Sequence, residues 1–438
     1  MFYLILVLFI AGYAAIAFER RLLVDKAAIS LVTGSLIWIC LAFWGEISHQ
    51  ELVSHLGGIG ELLFFLLGAM TLVEIIDSYG GFSILSKLVK TTNKVELLWI
   101  FSFLTFFLSA VLGNLSATIV MITLMWKFVG GNNQRWLFAG MIVIAANAGG
   151  TWSPMGNITT TLLWIGGRVS TWEIIMQLFV PSLLCMLIPL VILSLNMKGE
   201  AIPPPHTNSI KSLAPTTDRE RRMILLTGIG GLMLVPVIKS VTQLPPYIGV
   251  MLALAMMWII TEILYKNQKD FKKRLTFTEI FKKINIANIF FLLGILLAVA
   301  GLQSAGHLNL LGNFLDEKVH NIYTINIVIG ALSSVIDNIP LVSGTMGIYD
   351  AVSHEALITI SDPAQAAFVK HLVTDGSFWE LLAYCAGTGG SILIIGSSAG
   401  IAAMGLAKID WMWYFKKMSW LALAGYFSGI AAYFLIVG

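Results

Sequence analysis

"SSVIDNIPLVSG" occupies residues 333–344 and places Asp337 beside Asn338 and shortly before Pro340 within a strongly apolar region. An aspartate at the centre of a bilayer costs about 2.5–3.5 kcal/mol on insertion scales. The whole chain is 57% hydrophobic and 12% charged, with a mean hydropathy of +0.85. Soluble domains carry about 25% charged residues. The composition therefore indicates an all-α integral membrane protein, and an aspartate at this depth predicts a functional site.

Apolar stretches of about 17–25 residues are typical of membrane-spanning helices. Ten such stretches occur, at 2–18, 27–44, 59–79, 137–165, 174–197, 223–240, 247–265, 285–305, 380–406 and 418–437. Two further apolar regions, 97–129 and 321–350, are too long for one span and short for two. Each could be a broken helix that crosses once, or a re-entrant hairpin that enters and leaves on one side.

The distribution of positive charge favours two hairpins. In that arrangement one side, predicted to be cytoplasmic, holds all but four of the 27 lysines and arginines, in the loops near 19–26, 80–96, 127–136, 198–222, 266–283 and 407–417. A single crossing at 97–129 would instead export the basic segment before residue 223, against the positive-inside rule. We therefore predict about ten spanning helices, two re-entrant hairpins, and a multi-pass protein whose N-terminus lies outside.

The chain also repeats itself. Three blocks recur in the same order: "FFLLGAMTLVEIIDSYGG" (64–81) with "FFLLGILLAVAGLQSAGH" (290–307), "LSAVLGNLSAT" (108–118) with "LSSVIDNIPLV" (332–342), and "NAGGTWSPMGN" (147–157) with "GTGGSILIIGS" (387–397). The predicted topology gives the two copies opposite orientations. Inverted repeats of this kind are typical of secondary transporters.

The repeat predicts the domain organisation. The predicted parts are N-terminal scaffold helices (1–58), a first inverted repeat (59–197) with hairpin 97–129 and broken helix 137–165, a cytoplasmic linker (198–222), and a second inverted repeat (223–438) with hairpin 321–350 and broken helix 380–406. The lysine-rich loop 265–283 is interpreted as lying along anionic lipid headgroups, rather than as binding nucleic acid or a calmodulin-like protein.

Inverted-repeat carriers bind substrate near the midplane, on interrupted helices. Here the interruptions are the hairpin tips Gly113-Asn114 and Asp337-Asn338 and the Gly-Gly pairs 149–150 and 389–390. Short oxygen-bearing side chains flank them: Ser109, Thr151, Asn157, Ser333, Ser334, Thr388, Ser391 and Ser397. Such oxygens suit a hard cation such as Na⁺, and the sequence offers no His and Cys set for zinc or copper.

Structural interpretations of the same residues stay open. Asn114 could be a helix-packing amide, membrane Ser and Thr often bond to their own backbone, and Gly-Gly pairs also occur at close helix contacts. Glu74 and Asp77, on one helix face near a predicted cytoplasmic end, could simply reach the interface. Asp337 has the weakest structural alternative, because no lysine or arginine lies near it in sequence.

These segments resemble the NhaD-type sodium/proton antiporters of the ion transporter superfamily. The resemblance covers nearly the whole chain and is densest in "EIIDSYGGFS", "RWLFAGMIVIAANAGGTWSPMGNITTTLLWIGG" and "SSVIDNIPLVSGTMGIYD". It implies the ion-transporter-superfamily fold in a bacterial inner membrane. It also implies a scaffold domain that mediates a homodimer, and a transport domain that carries both hairpins and moves as an elevator.

The resemblance assigns site residues as well. It implies a first cation site from Ser109, Asn114 and the break that contains Thr151 and Asn157, and a second from Ser333, Asp337, Asn338, Thr388 and Ser391. Glu74 and Asp77 match the family's acidic pair and join Asp337 in proton coupling. Family members generally carry carboxylates where this chain has Gly113 and Asn157, so the first site lacks its charge.

The leading hypothesis is exchange of Na⁺ or Li⁺ for H⁺ at Asp337, without a cofactor or a nucleic-acid partner. One alternative is a relative with altered or lost coupling, because the first-half carboxylates are missing. Another is Na⁺-coupled uptake of anions such as dicarboxylates or arsenite, which a negative hairpin tip disfavours. Nothing in the sequence resembles a nucleophile–base pair or a metal triad, so an enzyme is not expected.

Overall fold

Helices make up nearly all of the computed structural model, which describes residues 2–44, 49–197, 216–266, 276–308, 310, 321–352, 357 and 368–437. The helices are α1 (Phe2–Ala17), α2 (Glu19–Leu22), α3 (Lys26–Phe43), α4 (His49–Ser78), α5 (Lys94–Leu112), α6 (Asn114–Met125), α7 (Asn132–Thr151), α8 (Ile158–Ile165), α9 (Thr171–Asn196), α10 (Asp218–Thr242), α11 (Pro246–Leu264), α12 (Phe277–Phe281), α13 (Ile286–Ser304), α14 (Ile322–Leu332), α15 (Asn338–Ile348), α16 (Ser377–Gly389), α17 (Ser398–Ala407), α18 (Trp411–Lys417) and α19 (Ser419–Val437). A 3₁₀ helix, Gly81–Leu88, lies between α4 and α5. Most of the predicted linker 198–222 and part of the loop 265–283 lie outside the described residues.

Among the described residues, eight helices are long and apolar enough to cross a membrane. They are α3, α4, α5, α9, α10, α11, α13 and α19. All but α5 fall on predicted spans, and α5 is the first arm of the first predicted hairpin. The prediction of an all-α membrane protein is confirmed. The predicted span 2–18 forms the 16-residue α1, and the two predicted broken helices are each divided.

Both hairpin regions consist of two helices joined at polar residues. In the first, Gly113 alone separates α5 from α6, at φ +84° and ψ 151°. This backbone region is essentially restricted to glycine. In the second, residues 333–337 separate α14 from α15, and Asp337 caps α15 by accepting a hydrogen bond from Ile339 N at 3.2 Å. The two tips therefore occupy matching places in the sequence repeat but differ in their turns.

Both predicted broken helices are divided, but only the second is interrupted within its Gly-Gly pair: Gly149-Gly150 lies inside α7, and the first break covers residues 152–157, whereas the second begins at Gly390. The first runs as α7 to Thr151 and restarts as α8, and the second runs as α16 to Gly389 and restarts as α17. Asn157 caps α8, and Ser397 caps α17 by accepting a hydrogen bond from Gly400 N at 3.1 Å. These caps satisfy backbone N–H groups that each break would otherwise leave unpaired.

Each hairpin contacts its broken helix through an equivalent serine-to-carbonyl hydrogen bond. Ser109 Oγ donates to the carbonyl of Ala146 at 2.5 Å, and Ser333 Oγ donates to the carbonyl of Ala386 at 2.8 Å. Ser109 aligns with Ser333, and Ala146 with Ala386, in the register of the sequence repeat. The repeat therefore coincides with a repeated contact.

The same register relates two close backbone approaches. A Cβ atom on Gly149 would lie 2.1 Å from the carbonyl oxygen of Phe106, and one on Gly389 would lie 2.0 Å from that of Gly330. Only a residue without a side chain allows α7 and α16 to approach their hairpins this closely. The opposite orientation of the two copies in a membrane stays a prediction.

The remaining helices pack beside the hairpins and broken helices. We call α1–α4 and α10–α13 the frame, and α5–α9 and α14–α19 the hairpin unit. In the frame, α3 packs along α13, and α11 packs against both α10 and α4; in the hairpin unit, α9 packs along α19. A Cβ on Gly34 would lie 2.6 Å from the carbonyl of Gly294, which accounts for the close contact between α3 and α13.

Candidate functional site

A buried polar network joins the first hairpin tip to the breaks of both halves. Asn147 of α7 is fully buried, and its Oδ1 accepts a hydrogen bond from Asn114 Nδ2 at 2.9 Å. Its Nδ2 donates to Ser391 Oγ at 2.8 Å and to Ser397 Oγ at 2.9 Å. The backbone N–H of Asn114 donates to the carbonyl of Gly156 at 2.9 Å. One amide side chain thus bonds to both halves of the repeat.

Residues at the break of the first broken helix lie close to Gly387 in the second half of the repeat. Gly387 is the repeat counterpart of Asn147. A Cβ atom at Gly387 would lie 2.7 Å from Thr151 Oγ1 and 3.0 Å from Asn157 Nδ2. Within the described residues, the buried atoms Asn157 Nδ2, Thr159 Oγ1 and Thr160 Oγ1 have no hydrogen-bond partner. Buried polar atoms are normally paired, so the two hydroxyl oxygens beside the break are available as ligands.

Several predicted ligands donate their hydroxyl hydrogen to a backbone carbonyl. Ser109 and Ser333 bond to the neighbouring broken helix, and Thr388 Oγ1 donates to the carbonyl of Tyr384 at 2.6 Å. A hydroxyl that donates its hydrogen keeps oxygen lone pairs for a cation. These side chains, like Asn338, are buried, so water does not compete for those lone pairs.

Asp337, at the tip of the second hairpin, lies outside this hydrogen-bond network. Its side chain is 31% exposed, and its Oδ2 atom lies 3.9 Å from Nζ of Lys26 at the start of α3. Over the part of the chain that the structure describes, no hydrogen bond links Asp337 to Ser333, Thr388 or Ser391. The tertiary structure therefore supplies a basic neighbour for Asp337, although the sequence places no lysine or arginine near it.

Glu74 and Asp77 belong to a separate cluster at the C-terminal end of α4. Glu74 Oε1 accepts a hydrogen bond from Ser78 Oγ at 2.9 Å and lies 3.2 Å from Lys283 Nζ, while Asp77 is exposed. Lys283 also donates to Ser78 Oγ at 2.8 Å. The structure does not bring this acidic pair into contact with the Asn147 network. In the ranges described, no group of three or more His, Cys, Asp and Glu side chains could hold a metal ion.

Two cavities lie beside the hairpin regions, the first next to the first tip at Leu115 and Ser116 and the second along the C-terminal half of α15. The first vestibule has a volume of about 490 Å³ and is lined by residues that include Lys26, Glu74, Ser116, Lys283 and Ser398. The second vestibule has a volume of about 530 Å³ and is lined by residues that include Glu61, Arg168, Gln303, Ser343 and Met346. They contact opposite ends of α4, because His55 lines the second and Glu74 the first.

The repeat relates the walls of these two cavities. Met70, Val73 and Glu74 line the first vestibule, and their counterparts Leu296, Val299 and Ala300 line the second. Both cavities are thus built from matching faces of the two halves. The acid at Glu74 has an alanine as its counterpart, so the two cavities differ in charge.

Comparison with known proteins agrees with this architecture. A family model described as a citrate transporter, CitMHS, matches residues 13–372. The chain belongs to the CitMHS family. It is 40% identical over 434 residues to "Sodium/proton antiporter 1" of Arabidopsis thaliana. The alignment covers 98% of this chain and 71% of that protein.

Two further relatives of this CitMHS protein cover most of both chains. "Sodium/proton antiporter 2" of Arabidopsis thaliana is 37% identical over 98% of each chain. "Na(+)/H(+) antiporter NhaD" of Vibrio cholerae is 29% identical over 99% of this chain and 91% of its own. The predicted relationship to NhaD-type sodium/proton antiporters is confirmed. These relatives are named as transporters and not as enzymes.

The sequence of this CitMHS protein did not lead to every residue of the site. Asn147 begins a repeated block beside a Gly-Gly pair, and an amide there within an apolar helix was a usable signal. Thr159 and Thr160 lie two and three residues after the predicted ligand Asn157, and this proximity in sequence was a second usable signal. Lys26 gave no signal, because its relation to Asp337 depends on how α3 packs against the hairpin unit.

Proposed function

We propose that this CitMHS protein is a secondary transporter that exchanges Na⁺ or Li⁺ for H⁺. Three relatives that align with at least 98% of this chain are named sodium/proton antiporters, which supports the proposal. The structural observation behind it is a buried polar network that joins the first hairpin tip to two helix breaks, together with one carboxylate, Asp337, at the tip of the second hairpin. Irregular backbone at membrane depth is tolerated where it lines a cavity or is packed by protein, as it is here.

The proposed mechanism is competition at a carboxylate. Asp337 binds either a cation or a proton, so each displaces the other. The second cation site would combine Asp337 with Asn338, Ser333, Thr388 and Ser391. The first would use Ser109, Asn114, Thr151 and Asn157, which are neutral oxygen donors. Because the first set has no carboxylate, we assign the exchange to Asp337.

Glu74 and Asp77 are proposed to relay protons at the first vestibule. Glu74 lines that cavity and pairs with Lys283, so a proton entering from this end meets the acidic pair first. The cluster makes no contact with the buried network, which favours a role in proton access over a role in binding the cation.

Movement of the hairpin unit against the frame is the proposed route of alternating access. Two cavities at opposite ends of α4 support it, since each is lined by residues of a different hairpin region, Ser116 in the first and Ser343 in the second. Lys26 contacts Asp337, and Lys239 contacts the carbonyl of Trp164 at 2.5 Å across the boundary between the two parts. Both contacts would break and re-form during an elevator movement.

The proposed setting is a bacterial inner membrane, with the N-terminus outside and a homodimer formed through the frame. Residues from two loops predicted to be cytoplasmic, Lys26 and Lys283, line the same vestibule, which supports the proposed topology. Lys87 and Asp218, also in segments predicted to lie on that side, form an ion pair.

Proton movement in everted vesicles tests the exchange. Added Na⁺ or Li⁺ should release protons taken up by vesicles that contain the protein, and K⁺ should not. Asp337→Asn should abolish this response. Asp350→Asn is the matched control, because Asp350 is 88% exposed and pairs with Arg168. An unchanged response in Asp337→Asn would refute the assignment of the exchange to this carboxylate.

Anion uptake is the second candidate, because the matching family model is described as a citrate transporter. A lysine beside the hairpin tip and a first tip without a carboxylate are the features that favour an anion. The test is uptake of labelled citrate by the same vesicles. Na⁺-dependent citrate uptake without Na⁺-dependent proton movement would refute cation–proton exchange and support anion uptake. Cation binding without movement of either protons or citrate would indicate that this family member has lost its coupling.

A further inference from the structure

We propose that Lys26 is a tethered cation that competes with the transported cation for Asp337 and so lowers the apparent cation affinity of the carrier. The inference rests on the proposed cation exchange. Lys26 belongs to the frame and Asp337 to the tip of the second hairpin, and the two side chains are 3.9 Å apart at Nζ and Oδ2.

The geometry of Asp337 makes Oδ2 the oxygen that a cation would use. Oδ1 accepts a hydrogen bond from Ile339 N at 3.2 Å and caps α15. Oδ2 is the atom that faces Lys26 Nζ. A bound cation and the lysine ammonium would therefore compete for one oxygen atom.

The start of α3 holds Lys26 in place for this contact. Asp25 caps the helix by accepting a hydrogen bond from Ala27 N at 2.7 Å, and Glu19 Oε1 accepts one from Lys26 N at 3.4 Å. Both carboxylates thus bond to backbone next to Lys26. The lysine Nζ lies 4.4 Å from the centre of the Phe291 ring, so α13 supports the side chain.

The pair is suited to exchange rather than to locking the structure. At 3.9 Å the two groups form no direct hydrogen bond, and their side chains are 25% and 31% exposed. A pair without a direct hydrogen bond is held loosely, so a cation that enters from the first vestibule, which Lys26 lines, can displace the ammonium. The charge of Lys26 stays fixed in this scheme, and only its position relative to Asp337 changes.

Binding of ²²Na⁺ to the purified full-length protein, with proton movement in proteoliposomes, tests the inference. Lys26→Gln should lower the half-saturating Na⁺ concentration about two- to fivefold in both assays, the effect expected for a partly exposed ion pair. Lys26→Arg should stay close to the wild-type value. Lys282→Gln is the control, because this exposed lysine pairs with Glu279 and does not line the vestibule.

A double substitution separates competition from a merely structural role. Adding Lys26→Gln to Asp337→Asn should change ²²Na⁺ binding no further, because the shared carboxylate is already lost. An unchanged or higher half-saturating concentration in a Lys26→Gln protein with wild-type melting temperature would overturn the inference alone. If wild-type protein binds ²²Na⁺ without moving protons, the proposed exchange fails while binding still tests Lys26. No binding by the wild type would overturn both.

Discussion

Asn147 shows how one side chain connects the two halves. It is fully buried, and its amide makes three side-chain hydrogen bonds to Asn114, Ser391 and Ser397. A buried amide with all these partners is costly to remove, because its partners lose their bonds without gaining water. The network therefore holds the first hairpin tip and the second break in one geometry.

Asn147→Ala should lower the free energy of unfolding by about 1–3 kcal/mol, because it leaves buried donors and acceptors unpaired. Cation-dependent proton movement should be lost as well. Thermal unfolding in detergent and the vesicle assay measure the two effects. The control is Thr123→Ala, which removes an exposed hydroxyl that donates to the carbonyl of Ile119 in its own helix. Wild-type stability in Asn147→Ala would contradict the role assigned to this network.

Gly113 has a backbone that its counterpart Asp337 does not share. Its φ of +84° and ψ of 151° are strained for any residue with a side chain, while Asp337 has φ −53° and ψ 131°. Space is available around Gly113, since among the described residues no atom beyond its immediate chain neighbours lies within 4 Å of an added Cβ. The resemblance to NhaD-type antiporters implies a carboxylate at this position, which Gly113→Asp would supply. The structure shows that this substitution would also strain the hairpin tip.

Gly113→Ala and Gly113→Asp should each destabilise the protein by about 1–3 kcal/mol, through backbone strain. Gly344→Ala is the matched control, because Gly344 lies in the second hairpin with open space around it and no positive φ. That control should be neutral or stabilising by about 0.5–1 kcal/mol, as for a glycine in a helix. Equal melting temperatures for the two alanine variants would argue against strain at Gly113.

The contact between each hairpin and its broken helix is the repeated structural element of this fold. It combines a serine-to-carbonyl hydrogen bond with a glycine that meets the partner backbone. Backbone atoms cannot move aside as a flexible side chain can. The two helices must therefore separate if a methyl group is placed between them.

Gly149→Ala and Gly389→Ala should each destabilise the protein by about 1–3 kcal/mol or more, and by similar amounts, because both would push a hairpin from its broken helix. Gly405→Ala in α17 is the control, since an added Cβ there meets nothing within 4 Å. Unfolding curves of purified variants measure the difference. A large effect in only one half would contradict the equivalence of the two contacts.

The molecule as a whole has a cavity at each end of α4, and the internal repeat relates their walls. Such an arrangement is what two inverted copies of one unit would produce in a membrane. The first vestibule collects residues from loops predicted to be cytoplasmic, and the second collects residues from segments predicted to be outside. Labelling from each side of a membrane tests this topology.

A membrane-impermeant maleimide should modify Ser116→Cys from the cytoplasmic side and Ser343→Cys from the opposite side, because these half-buried residues line different vestibules. Everted vesicles expose the cytoplasmic side of the membrane to the reagent, and right-side-out vesicles expose the opposite side. Cys40→Ser supplies the background, since Cys185 and Cys385 are buried. Labelling of both positions from one side only would refute the predicted topology.

The sequence by itself determined the helical membrane class, the positions of the hairpins and breaks, and most of the polar residues near them. Hydrophobic length, glycine pairs and polar interruptions are local properties, so they can be read without a structure. The sequence also suggested the register that pairs Ser109 with Ser333.

Only the tertiary structure showed which of these residues meet. Asn147 bonds to residues more than 240 positions away, and Lys26 reaches Asp337 through the packing of the frame on the hairpin unit. The structure also shows that Asp337 is not part of the buried hydrogen-bond network. It further shows that Gly113 and Asp337 have different backbone dihedral angles. Contacts between distant segments depend on how helices pack in three dimensions, and neither residue spacing nor composition along one chain contains that information.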